Sequence, residues 1–536
     1  MNIPASDPKS VTGKPLTIDE NVDVLVVGAG PAGLEAAIGA AARGLGVLLV
    51  DENPIPFKTM GDEVPLHFGQ GMAASARNRN AMMEAFVASE PRIAEAFEAG
   101  IDLRLGTACW GLYANGPALG WMPGLVAGLA DEERSFLVQA RHIILACGRR
   151  DMGLGFPGWE KPGVMGATAA LALATRYGAL GPRKLVVLGS STEALTTALA
   201  LREAGASIAA VIEQAAEIIG DVALLAGLRE SGTEILTRHV VREAAGRDGV
   251  EAALLAKLDE AGKPSAEERS LACDGIVLAV GTTAVIDLLD AAGGKVAFQA
   301  ERGGYAPVLD ADQRTSFANV YAVGDCAGIW AAKTRDRAIA EAEAARAVAA
   351  LAEEAITATA SQPPAPEYDI SAYRLAWVRA SVIEARAEFH VCQCEEVTAR
   401  EILEVRPPRY LDWQNERRND RSLAALLGDG PPNPDQVKRL TRAGMGPCQG
   451  RRCREQVAAL LALGAAQPLS AIPLAGYRAP TRPMPLSMTL SVPEAPEQAE
   501  HWDTWFGMHA QWRPFWEVPE RYTVAGNDAT GPVASE

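Results

Sequence analysis

The feature that most constrains this chain is the β-branched run Val22–Val27 followed at once by Gly28-Ala29-Gly30-Pro31-Ala32-Gly33. An Ala-rich helical segment from Leu34 to Arg43 and a second apolar run from Val47 to Val50 complete a βαβ unit. Each glycine of the G-x-G-x-x-G turn has its own duty. Gly28 permits the tight turn, Gly30 lets the backbone approach a pyrophosphate, and Gly33 lets the helix pack closely on the strand. The helix opens at Pro31 and Ala32, and its N-terminus faces the phosphates. Asp51 ends the second strand, where a carboxylate accepts hydrogen bonds from ribose hydroxyls, and Glu52 is the neighbouring alternative. Alone, the glycine pattern also fits an ordinary loop; here strand, helix, second strand and acid agree.

A second unit of the same shape starts at Lys184. It comprises a strand, the turn Gly189-Ser190-Ser191-Thr192-Glu193-Ala194, an Ala/Leu helix to Ala204 and the strand Ile208–Ile212. Ser191 and Ala194 stand where the second and third glycines belong, and side chains there crowd a pyrophosphate. Glu213 is placed to hold a ribose, and its charge argues against a 2'-phosphate. Vestigial packing and weak adenine-nucleotide binding both remain open for this turn. Later, Val320–Val323 delivers Gly324 and Asp325 to the start of a helix, which suits the ribityl and phosphate end of a flavin. The alternative is an Asp that only caps the next helix. Together with the run Ala146-Cys147-Gly148, the segment favours FAD over NAD at the first turn.

These units predict an α/β, two-dinucleotide-binding-domain flavoprotein. The FAD-binding domain is expected over 22–150 and 286–360, with an NAD-like domain inserted at 151–285. An N-terminal arm (1–21) precedes it, and a Pro/Trp-rich extension (466–536) with Trp502, Trp505, Trp512 and Trp516 ends the chain. Fifty basic against sixty-seven acidic residues give a formal charge of −17, which repels nucleic acid and anionic membranes. The first residues hold no apolar core of a signal peptide, and no stretch is long and apolar enough for a transmembrane segment, so a cytoplasmic protein is expected.

Of eight cysteines, Cys109, Cys147, Cys273 and Cys326 sit singly in strand-like surroundings and are expected to be buried free thiols. Cys392-Gln-Cys394 and Cys448-Gln-Gly-Arg-Arg-Cys453 form two close pairs, each beside a helix start; Thr398 and Glu401 make a T-x-x-E capping box after the first. Four such thiols predict a small α-rich four-Cys [2Fe-2S] domain over 373–465. Lys438, Arg439, Arg442, Arg451, Arg452 and Arg454 would offset its negative charge. Zinc in a closed tetrahedral site is the alternative, although zinc more often takes two C-x-x-C knuckles.

With these motifs on the page, the chain resembles the large subunits of bacterial multi-subunit amine dehydrogenases. That group holds the large subunits of opine oxidase and hydrogen cyanide synthase, dye-linked proline and hydroxyproline dehydrogenases and sarcosine oxidase alpha. The resemblance spans roughly Val22 to Pro480. It rests on A-C-G-R-R-D-M-G-L-G-F-P-G-W-E-K-P-G-V-M, the two βαβ units, V-C-Q-C-E-E-V-T and T-R-A-G-M-G-P-C-Q-G-R-R-C. It implies a disulfide-reductase-like fold that binds FAD and [2Fe-2S], with FMN at a subunit interface in several relatives. It also implies a smaller FAD-containing oxidase subunit that oxidises the C–N bond of an amino acid, imino acid or opine, a small third subunit and an external electron acceptor.

The family's G-G-Q is missing from D-E-N-P-I-P-F-K, and the cysteine region carries a polar insertion around 407–434. An NADH-dependent flavin reductase that uses its own cluster is the alternative function, supported by the second βαβ unit and opposed by its altered glycines. No residue is identified as a substrate acid or base, for the six histidines fall in no motif.

Overall fold

A strand covered by helices on both faces must be apolar along its whole length, and Val24–Val27 and Val47–Val50 are buried throughout. The computed structural model describes residues 17–54, 79–116, 119, 122–354, 363–407, 422–484 and 486–488. The first residues of the N-terminal arm, part of the polar insertion and the four tryptophans of the tail lie outside these.

The first sheet contains β1 (Glu20–Val27), β2 (Val47–Asp51), β3 (Asp102–Leu105), β4 (Ala108–Tyr113), β5 (Leu125–Ala130) and β6 (Ser135–Leu145), in the order β3-β2-β1-β6-β5-β4. The chain leaves this sheet through β7 (Arg149–Asp151). It then builds a second sheet from β8 (Val164–Gly166), β9 (Lys184–Leu188), β10 (Ser207–Glu213) and β11 (Glu234–Thr237). An antiparallel meander follows, β12 (His239–Ala245), β13 (Ala252–Leu258) and β14 (Pro264–Ala272), and β15 (Gly275–Leu278) returns to give the parallel order β11-β10-β9-β15-β8. Strand β16 (Thr282–Ala284) runs back antiparallel to β7, so the outgoing and returning chains are zipped together. After the hairpin β17 (Val296–Gln299) and β18 (Gly304–Pro307), β19 (Val320–Ala322) adds parallel to the end of β6 as the seventh strand of the first sheet.

The helix Pro31–Ala41 crosses from β1 to β2 and buries Leu34, Ala36, Ala37 and Ala40 against the sheet. Its small side chains allow the close approach that the phosphate turn needs. The equivalent helix of the second sheet, Thr192–Glu203, buries Ala194, Leu195, Ala198 and Leu201.

The C-terminal region does not form a core of its own. Helices Ile370–Val378 and Arg454–Gly464 share one continuous hydrophobic cluster with β9, β10 and β15 of the second sheet, joined through Trp159 and the fully buried Trp377. Trp159 Nε1 donates to His390 O (2.9 Å), which ties this core to β20 (His390–Cys392), paired with β21 (Val397–Thr398).

The two-dinucleotide-domain architecture stands, but the separate four-Cys [2Fe-2S] domain expected over 373–465 is corrected. Among the described residues no group of three or more His, Cys, Asp or Glu side chains is placed to hold a metal ion. Cys392 and Cys453 instead belong to the shared apolar core.

Because Trp377 joins two parts of that core, Trp377→Ala should cost about 3–5 kcal/mol of stability. A fall in the urea midpoint read by near-UV circular dichroism checks this.

Candidate functional site

The first phosphate turn is built for close approach. Gly28 has φ +111°, and a Cβ there would lie 2.2 Å from Ala146 O; a Cβ on Gly33 would lie 1.8 Å from Gly28 O. Gly30 differs, since among the described residues nothing lies within 4 Å of the place its Cβ would take. It is the N-cap of the helix Pro31–Ala41 and makes no side-chain cap bond, so the helix opens toward free space. That space is a cavity of about 340 Å³ lined by Gly28–Gly30, Asp51, Glu52, Cys147, Gly148 and Arg482 among others. Gly148 also faces open space (φ +72°).

Asp51 is turned toward the turn itself. Its Oδ2 accepts from Ala29 N–H (2.7 Å), and its Oδ1 from Asn53 N–H (2.8 Å) and Asn53 Nδ2 (3.1 Å). Burial pushes its carboxyl up, against the pull of those backbone N–H groups. Oδ2 keeps an acceptor position free beyond Ala29. Glu52 points elsewhere, into a 2.6 Å ion pair with Arg482.

Gly324 meets the other end of the turn: a Cβ on it would lie 2.9 Å from the Ala32 Cβ. Its N–H donates to Glu343 Oε2 (2.9 Å), and the fully buried Lys333 donates to Gly324 O (2.8 Å) and Glu343 (2.9 Å). Asp325 faces Arg149 at 3.4 Å, and Arg149 also pairs with Glu193 of the second domain at 2.8 Å. Of the residues expected from the sequence, Gly28, Gly30, Asp51, Glu52 and Gly148 line one cleft, Pro31, Ala32 and Gly33 follow in the helix that starts there, Gly324 packs on Ala32, and Asp325 faces Arg149, which lines the cleft.

Cys109 and Cys147 also line this cleft. Burial pushes Cys109 up to about 12. The Cys326 thiol and burial raise Cys147 well above its ordinary value, and Cys147 and Cys326 donate to Val27 O and Val285 O. The upward shifts at Cys109 and Cys147 favour the thiol over the thiolate at both positions.

At the second turn the chain itself engages the polar groups, while a cavity of about 270 Å³ adjoins Ser191, Thr192 and Glu193. Ser191 accepts from Ala194 N–H and so caps its helix. Ile219 N–H donates to Ser190 Oγ (3.2 Å), Gly220 N–H to Ser190 O (3.0 Å) and Asp221 N–H to Thr192 Oγ1 (3.0 Å). A Cβ on Gly220 would lie 2.2 Å from Thr192 N. Glu213 is wholly buried and accepts from Ser190 Oγ (2.6 Å), Tyr373 Oη (2.9 Å) and Ala215 N–H (2.8 Å). A tyrosine hydroxyl thus occupies the place that the sequence suggests for a ribose.

The four clustered thiols make pairwise contacts. Cys392 and Cys394 sulfurs are 4.0 Å apart, Cys394 and Cys448 sulfurs 3.6 Å, and Gly444 N–H donates to the Cys392 sulfur at 3.3 Å. The neighbouring Cys394 thiol, then burial, raise Cys448 above its ordinary value. With no ligand set among the described residues, the expectation of a [2Fe-2S] cluster, or of any metal, on Cys392, Cys394, Cys448 and Cys453 is corrected. Several of the basic residues expected to offset a cluster have other work. Arg442 pairs with Glu395 at 2.8 Å, Lys438 donates to Gly476 O at 3.0 Å, Arg452 lies over the Trp159 ring, and Arg454 lies 3.4 Å from the Tyr477 ring centroid.

Sequence reasoning missed a buried charge network beside the cleft. Asp287, with no exposed surface, accepts from Arg150 Nη1 (2.8 Å) and Arg482 Nη1 (3.0 Å). Burial raises its carboxyl, but the two guanidinium charges more than reverse this and leave it at about 2. Arg150 also bonds the Tyr477 hydroxyl, and Thr481 N–H donates to Trp110 O (2.8 Å), so residues 477–482 are laid across the first domain. The R-R-D run after Gly148 is a signal for Arg149 and Arg150 in an acidic chain. Nothing in the sequence around Arg482 marks it.

Residues 22–349 match the pyridine nucleotide-disulphide oxidoreductase family, and the chain belongs to that family. More particularly, it is homologous to the group that holds the large subunits of opine oxidase and hydrogen cyanide synthase, and it is a FAD-dependent oxidoreductase. It is 28% identical over 505 residues to the opine oxidase A-type subunit of Agrobacterium tumefaciens, covering 88% of this chain and 92% of that one. It is 27% identical over 463 residues to the hydrogen cyanide synthase subunit HcnB of Pseudomonas aeruginosa, covering 81% and 91%. In fold it is similar to the L-proline dehydrogenase of P. horikoshii, with TM-score 0.56 and 20% identity over 88% of this chain and 80% of that one. Among the described residues no helix is long and apolar enough to cross a membrane.

Asp287→Asn leaves Arg150 and Arg482 buried without their shared anion and should cost about 3–5 kcal/mol. A depressed carboxyl stabilises fully above its unfolded value near 4 and loses that contribution as pH falls through about 2. The stability gap between wild type and variant, read from urea midpoints, should therefore be constant above about pH 5 and narrow below about pH 4.

Proposed function

We propose that this chain is the large, electron-accepting subunit of a hetero-oligomeric dehydrogenase or oxidase. In it a smaller flavoprotein subunit oxidises the C–N bond of an amino acid, imino acid or opine, and electrons leave to an external acceptor. The observation that carries the reading is the contrast between the two phosphate turns: among the described residues nothing lies within 4 Å of the place a Gly30 Cβ would take, whereas at the second turn Ser191 caps the helix, Ile219–Asp221 bond to the turn and Tyr373 donates to Glu213. A self-sufficient NADH reductase needs both turns open. The similarity to proteins named as subunits, over nearly their full length, supports the hetero-oligomer.

In this reading Gly28, Gly30 and Gly33, with the helix start at Pro31 and Ala32, hold the FAD pyrophosphate. Asp51 Oδ2 accepts from the ribose, and Gly148, Gly324 and Asp325 border the ribityl end. Glu52 serves through Arg482 rather than through the ribose. FAD supplies, when bound, the capacity to take electrons in pairs and pass them on. Arg149 joins Asp325 to the second domain, and the Lys333–Glu343 pair keeps the Gly324 backbone in place.

Gly30→Val puts a side chain into open space, so the fold should survive. FAD per purified chain should fall by about tenfold or more, read by acid extraction against protein concentration. The isolated chain should be inert toward amino acids and opines. Its flavin should bleach only when the smaller flavoprotein subunit and its substrate are added anaerobically, while NADH alone should bleach it far more slowly than turnover. Fast bleaching by NADH would replace this reading with the reductase.

A further inference from the structure

The dinucleotide cleft is lined by the arginines Arg149, Arg176 and Arg482. Two of them are committed to carboxylates of the chain itself. Arg149 faces Glu193 (2.8 Å) and Asp325 (3.4 Å), and Arg482 faces Glu52 (2.6 Å) and Asp287 (3.0 Å). Arg176 differs. Among the described residues it makes no ion pair, and its guanidinium carbon lies 4.7 Å from the centre of the Phe86 ring, which also borders the cleft. A ring face orients a guanidinium without supplying the counter-charge.

Arg176 does not belong to the domain whose cleft it lines. The helix Ala167–Leu171, which follows β8 of the second sheet, runs on into a π-helical turn, Ala172–Arg176, closed by Tyr177 N–H donating to Ala172 O (3.2 Å). One extra residue in a turn re-aims the side chains beyond it at the cost of regular helical bonding, and such turns gather at functional sites. Here the last residue of the turn is the arginine that lines the first domain's cleft. Burial pushes the neighbouring Tyr177 hydroxyl up, the Arg176 guanidinium hydrogen-bonded to it pulls it back, and the Asp51 carboxylate adds a smaller push. The Arg176–Tyr177 pair therefore stands on the Asp51 side of the cleft.

We propose that Arg176 is a ligand of the FAD diphosphate contributed by the second domain, so that the bound cofactor bridges the two domains. The inference rests on the preceding assignment of the first turn to FAD and goes beyond it in giving the second domain a part in holding the cofactor. The diphosphate is the anionic part of FAD, and the helix that opens at Gly30 offers it only about half a positive charge. A cation is called for, and Arg176 is the cleft arginine that no carboxylate of the described chain answers. Its planar fork can bond two phosphate oxygens at once, and the Phe86 ring holds the fork in place beforehand.

The test is equilibrium dialysis of the FAD-stripped full chain against FAD, in wild type, Arg176→Met and Arg176→Lys. Arg176→Met should bind FAD about tenfold or more weakly, the loss of a charge-assisted contact. Arg176→Lys, which keeps the charge without the planar fork, should fall between the two. The urea midpoint of the FAD-free chain should be the same in all three, because an arginine without a counter-charge adds little to the empty fold. A measurement on wild type alone decides the matter should the variants fail to fold: FAD should slow amide hydrogen exchange across residues 172–177. The proposal is overturned by unchanged FAD affinity in Arg176→Met, by a midpoint of the empty chain that falls with that variant, by Arg176→Lys binding no better than Arg176→Met, or by exchange at 172–177 that FAD leaves unaltered. Gly30→Val separates this inference from the reading beneath it. FAD lost there but held in Arg176→Met removes the role of the arginine alone, whereas FAD held by both removes the assignment of the first turn as well.

Discussion

One buried carboxylate holds the parts of this molecule in register. Asp287 has no access to solvent and is shared between Arg150, on the strand that leaves the first domain, and Arg482, near the end of the described chain. Arg482 also reaches Glu52, beside the residue that ends β2. A carboxylate in a low-dielectric interior is stable only with excellent partners, and both guanidinium groups need it as much as it needs them. The connector, the first domain and the C-terminal segment are thereby fixed to one point at the edge of the dinucleotide cleft.

The two phosphate turns differ for reasons local to each. Both βαβ units fold for the same reason, an apolar strand feeding a small-residue helix through a glycine at positive φ. At the first turn Gly30 has no side chain, and among the described residues nothing lies within 4 Å of the place its Cβ would take. At the second, Ile219–Asp221 bonds to the turn and Tyr373 is carried against Glu213 by a helix packed into the second domain's core. A buried glutamate needs donors, and here the protein supplies them itself.

The cysteine region shows how far spacing alone can mislead. Two close pairs of thiols beside helix starts, in a basic stretch of an acidic chain, carry the signature of a cluster. Several of the basic residues, however, have local partners: Glu395 for Arg442, a carbonyl for Lys438, aromatic rings for Arg452 and Arg454. The sulfurs touch in a chain, Cys453 to Cys392, Cys392 to Cys394 and Cys394 to Cys448, but contact in a chain is not a ligand set, and among the described residues none is placed to hold a metal ion. Cys392 and Cys453 follow the ordinary course for cysteine and join the apolar core.

Local pattern was enough for the two nucleotide-type folds, the duties of Gly28 and Gly33 and the capping box at Thr398, because each depends on residues within one strand–turn–helix passage. The Thr398–Glu401 box is present with both of its reciprocal bonds. The charges that define the sites depend on residues far apart in the chain. Glu52 meets Arg482 across 430 positions, and Glu213 meets Tyr373 across 160. Such pairings carry no periodic signal, and a lone arginine or tyrosine reads as a surface residue until packing removes its water. The sequence by itself determined which turns could cradle a phosphate. Only the tertiary structure decided which polar groups of each turn are taken by the chain itself, because long-range packing chooses who replaces the solvent around each polar group.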